Sequence, residues 1–107
     1  MSEPAATSLT TILDAAAAEL ENARRNPTPD GVEWSTGAVV FAAVGADGAD
    51  FRLAQPVVEA ALRTPATTRS NRGRDWVSFR PDELDQHAID RATAWLASAW
   101  RRADGEA

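Results

Sequence analysis

The chain has 107 residues, a formal net charge of −5 and 44% hydrophobic content. That is enough for one domain and too little for two, and the composition is that of a folded protein rather than a disordered one. Cysteine and lysine are both absent, which excludes disulfides, thiolate metal sites, thiol nucleophiles, Schiff-base chemistry and a phosphate-loop lysine.

All eleven basic residues are arginine and alanine is abundant, both of them biases of a GC-rich genome. The apolar run Gly37 to Ala46 is about half the ~20 residues that a membrane-spanning helix needs. The amino terminus shows no basic segment followed by an apolar one, so a cytoplasmic location is expected.

Residues 1–6 read as a flexible tail, 7–103 as the single folded domain and 104–107 as a second short tail. A helix is expected from Thr7 or Ser8, either of which can cap it. Leu9, Ile12, Leu13, Ala16, Leu20 and Ala23 fall on one side at helical spacing, which carries the expected helix to Arg25. Glu21 and Arg25 are placed to pair one turn apart. Pro27 then stops the helix.

Val32, Trp34 and Thr36 alternate with Glu33 and Ser35, the pattern of a half-buried strand. Ala38 to Val44 is apolar on both faces and reads as an interior strand. Asp47-Gly48 signals a hairpin turn. The return strand points Phe51 and Leu53 inward, with Asp50 and Arg52 outward. Pro56 suits the first turn of a short helix over Val57 to Leu62. Residues 65–74 read as a loop, and Trp76 to Phe79 as one more strand.

The last helix is expected from Pro81 to Ala103. Ala88, Ala92, Trp95, Leu96 and Ala99 belong to its apolar stripe, Trp95 packed in the core and Trp100 at the edge. The order α-β-β-β-α-β-α predicts an α+β fold. Its sheet is expected to be mostly antiparallel and four-stranded, with the two long helices packed on one face.

The candidate chemistry lies between residues 63 and 80. Five arginines there (Arg63, Arg69, Arg72, Arg74 and Arg80) face one acid, Asp75, in an otherwise acidic chain. With Ser70 among them and Trp76 beside them, these residues form the candidate anion-binding set, because guanidinium forks and hydroxyls suit phosphate or carboxylate groups. Pairing with Asp82, Glu83 and Asp85 is the structural use of the same arginines.

Glu83, His87 and Asp90 are spaced to share one helix face and could hold a metal ion or do acid–base work. That face is the polar one, with no second histidine, so no metal site is assigned and no catalytic residue is named. The acidic balance disfavours a duplex-DNA binder.

Asp75-Trp76-Val77-Ser78-Phe79-Arg80-Pro81 followed by a helix ending Trp95-Leu96-Ala97-Ser98-Ala99-Trp100 resembles small bacterial α+β proteins. It is similar to the MmcQ/YjbR-like proteins and the small luciferase-domain proteins, which carry a Trp-Val strand before a final helix. The likeness covers about residues 49–103. It implies the fold, brings no catalytic residues, and implies no light emission.

Three functions follow in order of expectation. The first is a non-enzymatic binding or interaction module with a protein partner, or self-associating through the open sheet face or an edge strand. The second is recognition of a phosphorylated ligand or single-stranded nucleic acid by the 63–80 arginines. The third is an enzyme using His87 with Glu83 or Asp90. No cofactor is expected.

Overall fold

A computed structural model describes Ser8 to Glu106; the expected tail 1–6 lies outside the described residues. The elements run α1 (Leu9–Ala17), β1 (Arg24–Thr28), β2 (Gly31–Thr36), β3 (Val39–Gly45), β4 (Ala49–Arg52), α2 (Gln55–Leu62), β5 (Thr67–Arg69), β6 (Trp76–Phe79) and α3 (Gln86–Glu106). The strands form one antiparallel sheet in the order β1-β2-β3-β4-β6-β5. The fold is thus α+β as expected, with six strands rather than four.

The two additional strands are the edges. Residues 24–28 follow the helix instead of ending it. Ser8 caps α1 by accepting from the Thr11 amide at 3.2 Å, but α1 ends at Ala17. Asn22 takes a left-handed φ of 64°, a conformation asparagine tolerates better than most residues. The chain turns there, and Arg25 bonds Asp14 at 2.8 Å rather than Glu21. Pro27 stands opposite Val32, and an edge strand accepts a residue without an N–H. At the other edge, β5 has only three residues, too few to show a period.

At the start of β2, Gly31 lies so close to the backbone of β3 that a Cβ would collide with the Val44 carbonyl. Between β3 and β4, the Asp47-Gly48 turn forms as expected, with the Gly45 amide on the Gly48 carbonyl at 2.9 Å.

The three helices of the described residues lie on one face of the sheet. α3 crosses β2, β3 and β4 with α1 beside it, and α2 packs on β5 and β6. The core between the layers contains Leu13, Trp34, Phe41, Phe51, Leu53, Val58, Val77, Phe79 and Leu96, all at most 1% exposed. Val77 and Phe79 therefore face the helices, and Trp76 and Ser78 face away.

α3 docks through Ala88, Ala92, Ala99 and Ala103, which are buried and small enough to let it approach closely. Trp95 is only half-buried, although its ring meets Phe51 and Phe79 edge-on at 6.0 and 5.3 Å. The fully buried large residue of the stripe is Leu96. The helix begins at Gln86, not Pro81. Asp85 supplies the cap, its Oδ1 accepting from the Ala88 amide at 2.9 Å. Residues 104–106, expected in the tail, continue the helix, and Asp104 accepts from the Thr36 hydroxyl at 3.3 Å.

Candidate functional site

The face without helices is crossed by one row of residues, one from each strand. Pairing sets Asn26 opposite Glu33, Glu33 opposite Ala43, Ala43 opposite Asp50, Asp50 opposite Ser78 and Ser78 opposite Thr68. Alternation turns this row outward because its neighbours Trp34, Phe51, Val77 and Phe79 turn inward. Ala43 lies between the two acids, so their backbones are two strand spacings apart, roughly 9–10 Å. The small side chain leaves the space above it open.

The guanidinium of Arg72 reaches over that space. Its Nε donates to Asp50 Oδ2 at 3.0 Å and its Nη1 to Glu33 Oε2 at 3.3 Å. Ser78 Oγ donates to the other Asp50 oxygen, Oδ1. The Trp76 ring centroid lies 5.2 Å from the Arg72 guanidinium carbon, within cation–π range. All three charged side chains are a quarter to a third exposed, so the network is neither dry nor fully in water. It opens into a groove of about 430 Å³ that continues toward Asp30, Asp47 and Arg80 at the hairpin end of the sheet.

Local hydrogen bonds carry Arg72 to this position. The Arg72 amide bonds Ser70 Oγ at 3.1 Å, the Ser70 amide bonds the Trp76 carbonyl at 3.1 Å, and the Trp76 amide bonds the Gly73 carbonyl at 3.1 Å. From the far side, Arg102 of α3 clamps the loop's end. It donates to Asp75 Oδ2 at 2.9 Å and to the Leu53 carbonyl at 2.7 Å. Arg102, and after it Gln55, holds the Asp75 carboxyl below its ordinary range by hydrogen bonding to the charged form.

The structure separates the arginines that the sequence grouped. Arg72 and Arg80 line the open-face groove. Arg69 and Arg74 line a different recess, with Gln55 and Asp75. Arg63 caps the far end of α2. Ser70 is buried and shapes the loop, and Trp76 lies under Arg72. None of the expected partners Asp82, Glu83 and Asp85 forms an ion pair with these arginines among the described residues.

Glu83 precedes α3 and does not share a helix face with His87 and Asp90. Asp90 accepts from Gln86 Nε2 at 2.8 Å. Among the described residues no three acids or histidines gather as a metal site would require.

Glu33, Asp50 and Ser78 were not singled out from the sequence. Alternation alone turns Glu33 and Asp50 outward, but only the strand pairing aligns them across Ala43. No family model, curated protein or solved structure matches this chain.

Proposed function

We propose that this chain is a non-enzymatic binding module whose recognition surface is the uncovered face of the sheet. The observation that carries this reading is the Glu33–Arg72–Asp50 network, half-buried above Ala43 in a groove on the face that none of the described helices covers. Charged groups held at fixed spacing in a recess give orientation to a polar ligand. The floor is too polar for a purely apolar partner.

Binding is favoured over catalysis because both acids are already held by Arg72. The sole histidine, His87, lies on α3 across the sheet from them. Extension of the sheet by a second copy is disfavoured at both edges. β1 carries Pro27 and two arginines and β5 is three residues long, features that blunt strand pairing. A second copy or protein partner would therefore sit on the open face. A cytoplasmic location goes with this reading; among the described residues no helix is long and apolar enough to cross a membrane. The likeness to the MmcQ/YjbR-like and luciferase-domain proteins is proposed as a kinship of fold only.

The test is a screen of polar small molecules and short peptides, read by amide shift changes. Hits that move Glu33, Ala43, Asp50 and Arg72 together support the proposal. Hits confined to the helical face contradict it. Sedimentation over a range of concentrations separates a second copy from another partner.

A further inference from the structure

We infer that Arg69 and Arg74 form a second, independent site, at the start of α2, for a tetrahedral phosphate, free or as a small monoester. Both arginines line a recess of about 670 Å³ with Gln55 and Asp75. The ion pairs among the described residues use Arg25, Arg52, Arg72 and Arg102, and neither Arg69 nor Arg74 takes part in one.

The acid in the recess is already satisfied. Asp75 accepts from Gln55 Nε2 within the recess at 2.8 Å and from Arg102 Nη2 at 2.9 Å, and Arg102, which does not line the recess, answers its charge. That leaves two guanidinium forks, one from the edge strand β5 and one from the loop before β6, that are paired with no acid among the described residues. A guanidinium matches two oxygens of one phosphate at once, and a second fork from another element can engage the remaining oxygens.

The helix end adds to the same field. α2 begins at Gln55 with Ala54 as its cap residue; no side chain caps it and no acid lies in its first turn. No acid of the helix's own first turn offsets its partial positive charge, and the nearby Asp75 is paired with Arg102. The two arginines carry the site and the helix end strengthens it.

A small phosphate is favoured over a nucleic-acid strand by the surroundings. Arg72 is neutralised by Glu33 and Asp50, Arg63 lies at the other end of α2, and the whole chain carries −5. Among the described residues no continuous basic track leads away from the recess, as a strand's backbone would require.

Titration with inorganic phosphate and with phenyl phosphate at low ionic strength, followed by amide shifts, tests this. Saturable changes at Gln55, Arg69 and Arg74, weakened by added salt, are expected. Tighter phenyl phosphate binding identifies a monoester site, and tighter inorganic phosphate a free-anion site.

Arg69→Met and Arg74→Met should each weaken binding about tenfold or more, the scale of a lost charge-assisted hydrogen bond. Arg63→Met, at the other end of α2, should leave it unchanged. The exposed positions allow both methionine variants to be checked for unaltered folding by their unfolding midpoints. No saturable change, equal binding by the double variant, or an oligothymidylate footprint spreading over Arg63 and Arg80 that phosphate does not displace would each overturn the inference.

Discussion

Arg72 and Glu33, 39 residues apart in the chain, meet at 3.3 Å above the open face of the sheet. The contact is long-range in sequence but crosses only the strands between β6 and β2. It exists because Ala43, the residue between Glu33 and Asp50 in the row, has no side chain tall enough to block it. The loop that carries Arg72 is held at its far end by Arg102 of α3, so the helical layer and the open face are mechanically linked.

Arg72→Ala should change the open face without unfolding the domain. The side chain is about a third exposed, and exposed ion pairs contribute about 0–1 kcal/mol each. Urea unfolding should show a small loss, and amide spectra should show Glu33 and Asp50 shifted with the core signals of Phe51 and Leu96 in place. A collapse of stability would mean that the network holds the fold rather than forming a site.

Truncations along α3 should follow depth. Leu96 is fully buried, and Leu96→Ala should cost about 2–5 kcal/mol, a large part of the roughly 5–15 kcal/mol available to a domain. Trp95→Ala loses two edge-on aromatic contacts, each worth about 0.5–1.5 kcal/mol beyond area, and should also lower the midpoint. His87 is exposed, so His87→Ala should stay within about 0.5 kcal/mol of the parent. Equal losses for Leu96→Ala and His87→Ala would contradict the docking of α3 described here.

The carboxyl of Asp75 gives a signed pH dependence. Its pKa is lowered in the folded chain, first by hydrogen bonding to Arg102, so the unfolded chain binds the proton more readily. Its contribution is present above the unfolded carboxylate value and is lost as pH falls through the folded one. Stability should therefore decline below about pH 4, and Asp75→Asn should flatten part of that decline. An unchanged acid limb in the variant would show that Asp75 carries none of it.

Ala66 holds a φ of 64°, a conformation that costs a non-glycine residue roughly 1–2 kcal/mol. Ala66→Gly should relieve this, partly offset by about 0.4–1 kcal/mol from the freer unfolded chain, giving a small rise in midpoint. Ala60→Gly, on the exposed side of α2, should lower stability by about 1 kcal/mol. A loss at both positions would argue against the left-handed turn at Ala66.

The centre of the fold was legible because its signals are local. Alternation placed Trp34 inward and Glu33 outward, Asp47-Gly48 announced its turn, and Pro56 opened a helix. The edges were not. Beyond Ala17, Leu20 and Ala23 keep helical spacing, so nothing in the periodicity marks the reversal at Asn22, and Pro27 reads as a helix stop whether or not a strand contains it. Pro81 and the acids after it imitate a helix start, yet the capping hydrogen bond comes from Asp85.

The candidate site was half legible for the same reason. A run of arginines is visible in one dimension. That Arg72 pairs with Glu33 and Asp50 while Arg69 and Arg74 pair with no acid among the described residues depends on strand register, which residue types do not encode locally.

The most direct test of the open face as the recognition surface is ligand-induced amide shift mapping on the parent and on Ala43→Phe. Ala43 is 5% exposed and outward-facing, so a ring there fills the space between Glu33 and Asp50 and displaces Arg72 without entering the core. The account predicts that compounds shifting Glu33, Asp50 and Arg72 in the parent lose binding in the variant, while phosphate effects at Arg69 and Arg74 persist. Undiminished binding of those compounds to a folded Ala43→Phe chain would contradict it.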